Sequence, residues 1–554
     1  MAGSRIEEAY VLGLDFGTDS CRALIVSAHD GSEAASSSAP YKRWARGLYS
    51  DPGENRFRQH PLDHLEAMEE AVHGAVIQAG REIGAAIRAI GIDTTGSSPT
   101  AVDASGTPLA LREDLAENPS AMFVLWKDHT SLEEAELINR VNQNSIARGG
   151  PDYLRLNGGL YSSEWYWSKV LHILRKDPQV AASAASFVEH CDWISGLLTG
   201  TGDLNTMKRN RCSMSLRALW HKDFGGYPPR SFFEEIDPRL LPILDSLGNQ
   251  CFPADTQAGF LCDEWAQRFG LPSFGPAKIP VSLGALDAHI GGIGGGVAPG
   301  RMVLVAGTSA CHILVGEAQS AEALAGICGQ EEGSVIPGLM GYEAGQSAFG
   351  DLLAWYRDLL LWPLKDPALK GIAASLPDRL LPELEGAASM LGPCAGGLLS
   401  LDWHNGRRTP DVNPRLKGAF FGLNLGSDAP RLYRSLVEAL AFGSRAILER
   451  FREGGIAVNE ISAVGGVACK SPLVMQILSD TLNMPIHVLA SQEAVALGSA
   501  MCAAAAAGLY SHIPAAQAAM ASPVEKTYLP RTHEVAAYEV LYQSYQVAGK
   551  YVEG

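Results

Sequence analysis

The sequence predicts an α/β protein made of two related halves with a cleft between them. Strand and helix patterns alternate along the first part of the chain, which is typical of α/β domains. An apolar strand, a Gly-Thr turn and an apolar return strand occur at residues 11–27 and again at 302–317, and two strands that run into glycine turns, 89–98 and 461–471, follow in the same order. Either match alone is equally explained by chance, but together they indicate an internal repeat.

The length agrees with this division. A chain of 554 residues is long enough for two large domains, or for up to four smaller ones, each with its own core. A new strand-rich region begins near Lys278. We therefore expect one domain over residues 1–278 and a second over residues 279–554.

The first predicted elements are an antiparallel meander, a helix and a further strand. Alternating apolar residues and tight turns predict strands from Tyr10 to Phe16, from Ser20 to Ala28 and after Ser32. Helical spacing follows over residues 61–80, and 86–96 is the next strand. The apolar face of that helix consists of Leu65, Met68, Val72, Val76 and Ile77.

The later segments complete the pattern. Residues 125–275 are rich in helical spacing and aromatic side chains, and we interpret them as insertions that cover the first domain. Near the C-terminus a strand, a Gly-Gly turn, a helix, a strand and an Ala-rich helix succeed one another. Ser471 is a natural N-cap with Pro472 at the first helical position. The Ala-rich helix from Glu493 is expected to pack behind the Gly-Gly turn.

Composition excludes several classes of function. The 44 Lys and Arg stand against 61 Asp and Glu, so the net charge is −17, and no basic patch interrupts the acidic balance. Nucleic acid and anionic membranes are therefore unexpected partners. No stretch reaches the about 18 apolar residues of a membrane span, and the N-terminus lacks the apolar core of a signal peptide. We expect a cytoplasmic protein whose ten cysteines, without any C-x-x-C pair, are reduced thiols.

The strongest local signal is the turn between the first two strands, Asp15-Phe16-Gly17-Thr18-Asp19-Ser20. A nucleotide phosphate needs backbone N–H groups in a concave turn, a residue without a Cβ and hydroxyl donors, and Gly17, Thr18 and Ser20 supply them. Asp15 can hold Mg²⁺ through the water shell of the ion. A plain hairpin explains a single turn of this kind equally well.

A second Gly-Thr turn, Gly307-Thr308-Ser309, favours the functional interpretation. Two facing hairpins can clamp a triphosphate from both sides, which a purely structural turn does not require. No G-x-x-x-x-G-K-[ST] motif occurs, so backbone amides and Mg²⁺ must supply the positive potential. Four nearby basic residues can contribute, although each is equally explained as a surface charge: Arg22, Lys127, Lys208 and Lys470.

Two further segments carry candidate residues. Gly465-Gly466 lies at the carboxyl end of a predicted strand, where a flat adenine can lie against bare backbone, although close helix–strand packing explains the pair as well. Asp287 follows a glycine-bearing strand end, where it can accept a hydroxyl proton as a general base. A sugar site needs polar and aromatic groups, and the candidates for these are Glu343, Gln346, Lys208 and the Trp126-Lys127-Asp128 segment.

Many separate blocks, in order, resemble the FGGY carbohydrate kinases of the actin/hexokinase/Hsp70 superfamily. The resemblance runs over residues 10–530 and rests on GLDFGTDSCRALIV, ENPSAMFVLWKDHT, GGLYSSEWYWSK, CDWISGLLTG, GALDAHIGGIG, VAGTSACHILV, GYEAGQSAFGD, LDWHNGRRTP and ISAVGGVACKS. It implies two ribonuclease H-like (actin-like ATPase) domains with the catalytic cleft between them. The blocks are most similar to those of family members that act on L-ribulose.

The resemblance also implies roles for individual residues. Asp287 matches the catalytic base, which deprotonates the 5-hydroxyl of L-ribulose for attack on MgATP. The ATP-binding positions are Asp15, Gly17, Thr18, Ser20, Gly307, Thr308, Ser309, Gly465 and Gly466. The sugar-binding positions are Gly96, Ser97, Lys208, Asp287 and Glu343. The chain departs from the family after its W-x-D motif, because His129-Thr130 stand where many members place an Arg two residues after the Asp.

The activity implied is ATP-dependent formation of L-ribulose 5-phosphate in L-arabinose catabolism, by a homodimer. Two alternatives stay open at this stage. One keeps the chemistry and changes the substrate to D-ribulose or another ketopentose. The other, of a different class, is a nucleotide-driven binding protein that needs no acceptor sugar.

Overall fold

The structure, a computed structural model, describes residues 6, 8–271, 278–317, 323–369 and 376–554. Its strands in chain order are β1 (Tyr10–Phe16), β2 (Ser20–Ser27), β3 (Glu33–Pro40), β4 (Arg58–Gln59), β5 (Ile87–Thr94), β6 (Pro99–Val102), β7 (Phe123–Val124), β8 (Ser186–Glu189), β9 (Arg209–Asn210), β10 (Cys251–Phe252), β11 (Gln257–Phe260), β12 (Pro280–Ser282), β13 (Ala285–Leu286), β14 (Gly300–Ala306), β15 (Ala310–Glu317), β16 (Gly329–Glu332), β17 (Leu339–Gln346), β18 (Leu399–Leu401), β19 (Ala419–Phe421), β20 (Val458–Val464), β21 (Ile486–Leu489) and β22 (Val524–Tyr528).

The α-helices flank and connect these strands. They are α1 (Pro61–Ala79), α2 (Arg81–Ala85), α3 (Leu132–Ala147), α4 (Tyr166–Lys176), α5 (Pro178–Ser183), α6 (His190–Thr199), α7 (Arg211–Ala218), α8 (Arg230–Ile236), α9 (Leu241–Ser246), α10 (Asp263–Phe269), α11 (Asp287–Gly294), α12 (Gly350–Leu360), α13 (Leu376–Ser389), α14 (Ala429–Glu453), α15 (Gly466–Lys470), α16 (Pro472–Leu482), α17 (Ala494–Ala506), α18 (Ile513–Met520) and α19 (Thr532–Glu553).

Two seven-stranded sheets form the framework. The first has the order β11-β12-β5-β1-β2-β3, with β13 also paired to β5, and the second has the order β16-β17-β15-β14-β20-β21-β22. In each sheet a hairpin, β1–β2 or β14–β15, is antiparallel, and its first strand lies parallel to a later strand, β5 or β20. The shared topology confirms the internal repeat predicted from the sequence.

The first sheet extends slightly beyond the predicted limit of its domain at residue 278. β12 and β13 pair with β5, and the second sheet begins with β14 at Gly300. The chain therefore leaves the first sheet after Leu286 and enters α11. Nothing in the local pattern of so short a strand indicates which sheet it joins, because pairing is decided by distant residues.

Helix α17 packs on the first sheet, although the sequence suggested a place behind the Gly-Gly turn. A Cβ on Gly13 of β1 would lie 1.9 Å from the carbonyl oxygen of Ala496, and one on Gly91 of β5 would lie 1.9 Å from that of Ser499. Bare backbone on two adjacent strands thus lets the helix approach closely. The predicted position of this helix was wrong. By packing on the first sheet, α17 joins the C-terminal part of the chain to the first domain.

Helix α1 confirms the predicted helix but not all of its apolar face. Met68 and Val72 are fully buried, together with alanines at four-residue spacing, whereas Ile77 is 67% exposed. The buried stripe ends one turn before the helix does. The predicted cap of α16 is confirmed, because the side chain of Ser471 accepts a hydrogen bond from the N–H of Val474.

Residues 125–250 form a largely helical cover with an aromatic core on the first domain, whereas β11, inside the range predicted as insertions, joins the first sheet. Trp167, Trp165 and Phe233 are buried there, beside helices α3, α4 and α8. The ten cysteines are all free. Within the described ranges, no helix has both the length and the apolar character that crossing a bilayer demands.

Candidate active site

The first predicted phosphate turn is a tight hairpin between β1 and β2. The N–H of Gly17 donates to the carbonyl oxygen of Ser20 at 3.0 Å. A Cβ on Gly17 would make only ordinary van der Waals contacts, the nearest 3.6 Å from that same oxygen, so no protein atom blocks this position. Asp15 lies at the end of β1 and accepts from Arg22 at 3.3 Å. Burial raises the pKa of Asp15, and the guanidinium of Arg22 opposes that shift.

The second phosphate turn repeats this geometry between β14 and β15. The N–H of Gly307 donates to the carbonyl oxygen of Ser309 at 2.9 Å. The N–H groups of Phe349 and Gly350 donate to the carbonyls of Thr308 and Gly307 at 2.9 and 3.1 Å, so the start of α12 fixes the turn from behind. The turn is therefore held by hydrogen bonds from the start of a helix that lies about forty residues later in the chain.

Both turns line one cleft between the two sheets, with a cavity volume of about 400 Å³. All of the predicted nucleotide-binding residues line it: Asp15, Gly17, Thr18, Ser20, Gly307, Thr308, Ser309, Gly465 and Gly466. Arg22 and Lys470 also line the cleft. Lys127 does not, because its ammonium lies over the rings of Trp44 and Phe57 at 5.3 and 5.0 Å.

The Gly465-Gly466 pair provides the flat surface expected for a base. Gly465 has φ +96°, and a Cβ there would lie 2.7 Å from the carbonyl oxygen of Ala306, so only glycine fits. A Cβ on Gly466 would meet no atom within 4 Å, since this residue faces open space at the start of α15. One glycine therefore serves packing and the other leaves room for a ligand.

Asp287 lies at the first position of α11, on the floor of the cleft. Its Oδ1 accepts a hydrogen bond from the N–H of Ala288 at 2.7 Å. Burial, and then the charge of Asp15, raise the pKa of Asp287 to about 7. A carboxyl group with such a pKa exchanges a proton readily near neutral pH, as a general base must.

A second buried carboxylate, Asp93, accompanies Asp15. The two residues are register partners on the adjacent parallel strands β5 and β1. Ser499 of α17 donates to Oδ2 of Asp93 at 2.7 Å, whereas Oδ1 is buried without a hydrogen-bond partner. Burial and the charge of Asp15 raise the pKa of Asp93 well above its usual range. Of these two carboxyl groups only Asp15 lines the cleft.

A second, smaller cavity of about 80 Å³ adjoins the cleft at Asp287. Thr18, Asp287, Ala288, Thr308, Ser309 and Cys311 line both spaces. The rest of the smaller cavity is lined by Gly96, Trp126, Glu164, Trp165, Arg217, Leu286, Glu343 and Arg408. Its polar, partly aromatic walls suit a compact polyhydroxyl compound.

An ion pair between the two domains dominates this cavity. Nη2 of Arg217, on α7, lies 2.8 and 2.7 Å from the two carboxylate oxygens of Glu343, on β17. Burial alone would raise the pKa of Glu343, but Arg217, followed by His289 and Arg408, brings it to about 2. Burial lowers the pKa of His289 to about 4, so this ring is neutral at pH 7.

A second ion pair lines the same cavity. Nη2 of Arg408 lies 2.9 and 2.8 Å from the carboxylate oxygens of Glu164, and both side chains are largely buried. The indole N–H of Trp126 donates to Oγ1 of Thr18 at 3.1 Å. Trp126 thereby connects the smaller cavity to the first phosphate turn.

The structure places two of the predicted sugar-binding side chains outside the cavity. Lys208 donates to the carbonyl oxygen of Gln257 at 2.6 Å and does not line the space, where Arg217 supplies the cation. Ser97 is 1% exposed and its hydroxyl donates to Glu189, so only the neighbouring Gly96 reaches the wall. Both side chains are thus engaged in hydrogen bonds within the first domain.

Sequence reasoning missed the cavity residues Glu164, Trp165, Arg217 and Arg408, as well as Asp93. Arg217 and Glu343 are 126 positions apart, and Arg408 and Glu164 are 244 apart. Pairing over such separations leaves no local pattern. For Asp93 a signal did exist: it lies on β5, the strand whose counterpart in the internal repeat is β20.

Comparisons with known proteins agree with this geometry. The C-terminal domain of the FGGY family of carbohydrate kinases matches residues 302–507. A ribulokinase of Vibrio parahaemolyticus is 42% identical, over 99% of this chain and 96% of its own. A ribulokinase of Shouchella clausii is 38% identical over 97% and 94%, and one of Mycolicibacterium smegmatis is 35% identical over 97% and 92%.

Solved structures share the fold at lower identity. A xylulose kinase from Rhodospirillum rubrum superposes with a TM-score of 0.73 at 21% identity, covering 98% of this chain and 99% of its own. A glycerol kinase from Plasmodium falciparum, determined with ADP, superposes with a TM-score of 0.72 at 14% identity, covering 98% of each chain. The two-domain architecture is therefore that of sugar kinases.

Proposed function

Because the chain belongs to the FGGY family of carbohydrate kinases, we propose that it transfers the γ-phosphoryl group of ATP to the 5-hydroxyl of L-ribulose, giving L-ribulose 5-phosphate and ADP. One observation carries the proposal: Asp287 lines both the cleft of about 400 Å³ and the adjoining cavity of about 80 Å³, where it would face a nucleotide on one side and a sugar on the other. The names of the related proteins support the choice of ribulose.

The carboxylate of Asp287 takes the proton of the sugar hydroxyl as its oxygen attacks the γ-phosphorus. The new bond joins that oxygen to phosphorus, the bond from phosphorus to the β,γ-bridging oxygen breaks, and ADP leaves with the electron pair. The proton stays on Asp287 until it is lost to solvent. A pKa of about 7 suits both steps.

The two hairpins hold the triphosphate through backbone N–H groups and hydroxyls. Gly17 and Gly307 leave room for phosphate oxygens, and the hydroxyls of Thr18 and Thr308 stand on opposite sides of the cleft. Fixed amides stabilise charge that grows on the transferring group without any reorganisation. Positive charge from many Lys residues is therefore unnecessary.

We propose that Mg²⁺ binds beside the first hairpin, where Asp15, which lines the cleft, would hold the water shell of the ion. Mg²⁺ in proteins usually keeps several water ligands beside one or two carboxylates and substrate phosphates. When bound, Mg²⁺ neutralises charge on the phosphate oxygens.

The sugar is oriented by charged pairs in the smaller cavity. We propose that two ion pairs that line it, Glu343 with Arg217 and Glu164 with Arg408, share the sugar hydroxyls. Their ion pairs fix the side chains before substrate arrives, which lowers the ordering cost of binding. Gly96 is required at this wall by packing, because a Cβ there would lie 2.0 Å from the side chain of Leu286.

A panel of sugars tests the assignment. ADP release is followed with L-ribulose, D-ribulose, L-xylulose, D-xylulose and glycerol at fixed MgATP. L-Ribulose is expected to give the highest kcat/KM. A higher kcat/KM with D-ribulose or another ketopentose would change the assigned substrate and leave the proposed chemistry intact. A rate of ADP release that no sugar increases would reject the assignment of the protein as a sugar kinase.

The proposed place of this enzyme is L-arabinose catabolism in the cytoplasm, and its proposed assembly is a homodimer. Light scattering coupled to size exclusion measures the mass of the native protein. A mass of one 58.9 kDa chain would reject the dimer.

A further inference from the structure

One lysine is buried in the first domain behind the smaller cavity. Lys169, on α4, is 1% exposed, and its ammonium donates to three backbone carbonyl oxygens. These belong to Ser97 at 2.7 Å, Leu125 at 3.0 Å and Val124 at 3.4 Å. A buried lysine is uncommon and needs such compensation.

The carbonyls held by Lys169 belong to the two loops that build one side of the cavity. Ser97 directly follows Gly96, which lines the cavity, and Leu125 directly precedes Trp126, which lines it too. Trp126 in turn donates to Thr18 of the first phosphate turn at 3.1 Å. A single ammonium therefore fixes both loops and, through the indole, their distance from the phosphate turn.

The number of protons on the lysine matters for this contact. An ammonium has three N–H donors, which match three carbonyl acceptors, whereas a neutral amine keeps a lone pair that would face an oxygen. Four charged groups surround it: Asp128, Glu189 and Glu164 favour the ammonium, and Arg58 opposes it. Burial outweighs them and lowers the pKa of Lys169 to about 7.

We propose that Lys169 is a positioning residue for the sugar: its ammonium holds the Gly96 and Trp126 loops at the separation that sugar binding requires, without touching the sugar itself. The proposal rests on the proposed function and deepens it, because it names a residue that controls how tightly the sugar is bound. No Lys169 atom lines either cavity.

The first test separates sugar binding from the other steps. Lys169→Met and the milder Lys169→Gln are compared with Arg434→Met, which removes another buried cation that donates to the Ala388 carbonyl far from the cleft. We expect the KM for L-ribulose to rise about tenfold or more in both Lys169 variants, with the KM for ATP within about twofold. Arg434→Met is expected to lower the thermal midpoint and leave both KM values unchanged.

The second test does not depend on those variants folding. In Asp287→Asn protein, which lacks the titrating base, binding of L-ribulose is measured by tryptophan fluorescence between pH 6 and pH 8. The Kd is expected to rise about tenfold as the ammonium is lost. Lys169→Gln in the same background should bind weakly at every pH.

The results distinguish this inference from the proposed function. Wild-type protein that shows no sugar-dependent ADP release would reject the function itself. An active wild type whose Kd is constant across this pH range, or folded Lys169 variants whose sugar KM stays within about twofold, would overturn the role of Lys169 alone.

Discussion

Arg217 places one guanidinium nitrogen, Nη2, 2.8 and 2.7 Å from the two carboxylate oxygens of Glu343. Arg217 belongs to the helical cover of the first domain and Glu343 to the second sheet, so the pair joins the two domains across the smaller cavity. The side chains are 7% and 2% exposed. Because neither charge has access to bulk water, each depends on the other for compensation.

Arg217→Met should therefore damage both stability and sugar binding. The variant leaves a buried carboxylate without its partner, a change that costs about 3–5 kcal/mol. We expect a lower free energy of unfolding and a sugar KM raised at least about tenfold, whereas Glu343→Gln should be milder. Unfolding curves and KM measurements check this. Arg148→Met, which removes an exposed pair with Glu235, is the control and should change neither.

Lys208→Met provides a contrast with Arg217→Met. Lys208 bonds to the Gln257 carbonyl and lies outside the cavity, so its loss should leave the sugar KM within about twofold of wild type. A rise in the sugar KM as large as that of Arg217→Met would indicate that Lys208 contacts the sugar, as the family resemblance implies. The measurement is a sugar titration of the two variants side by side.

Asp287→Asn should remove the chemical step and spare binding. Loss of a general base costs about 10²–10⁴-fold in kcat. Asp402→Asn is the matched control, because Asp402 is a buried carboxylate whose pKa is also raised by burial but which bonds to Tyr545 and Gln346 outside the cleft. Its kcat should remain near that of wild type. A variant at Asp287 with more than half of the wild-type rate would contradict the assignment.

The pH dependence of kcat/KM for L-ribulose follows from the pKa of Asp287 in the free protein. This pKa is raised to about 7, so the carboxylate form needed to accept the hydroxyl proton predominates above pH 7 and is lost as pH falls. We expect kcat/KM to drop about tenfold per unit below pH 7. Initial rates from pH 5.5 to pH 8 measure it. A kcat/KM that stays flat below pH 7 would exclude Asp287 as the titrating base.

Alanine in place of either of two glycines that line the cleft should obstruct nucleotide binding. In Gly17→Ala and Gly466→Ala the new Cβ meets no protein atom closer than 3.6 Å, so folding tolerates it, but the methyl occupies the cleft. We expect the KM for ATP to rise about tenfold with little change in the thermal midpoint. Gly386→Ala, in exposed α13, is the control and should leave the KM unchanged while stabilising its helix by about 1 kcal/mol.

The packing of α17 on the first sheet makes the opposite prediction for Gly13. An alanine there places its Cβ 1.9 Å from the backbone oxygen of Ala496, which no side-chain movement can relieve. We expect Gly13→Ala to lower the free energy of unfolding by about 1–3 kcal/mol or more. Chemical denaturation measures it against Gly386→Ala. Equal stability of the two variants would contradict the contact.

Short motifs made much of this protein predictable. The Gly-Thr turns, the Gly-Gly pair and Asp287 all owe their position to adjacent residues, because a turn between two strands is determined locally by glycine, hydroxyl and strand spacing. All nine predicted nucleotide-binding residues line one cleft, but that the two turns meet there is a result of the tertiary structure. The repeated order of strands also indicated two related sheets.

Contacts between distant segments were decided only by the tertiary structure. The tertiary structure decides that Arg217, and not Lys208, supplies the cation beside Glu343. It also decides that α17 packs on the first sheet and that Lys169 contacts two separate loops. Each of these contacts joins residues far apart in the chain. Sequence determined the two Gly-Thr turns that we propose to bind phosphate, since their geometry is local. The sugar cavity required the fold, because its walls are ion pairs and carbonyl contacts whose partners no sequence pattern connects.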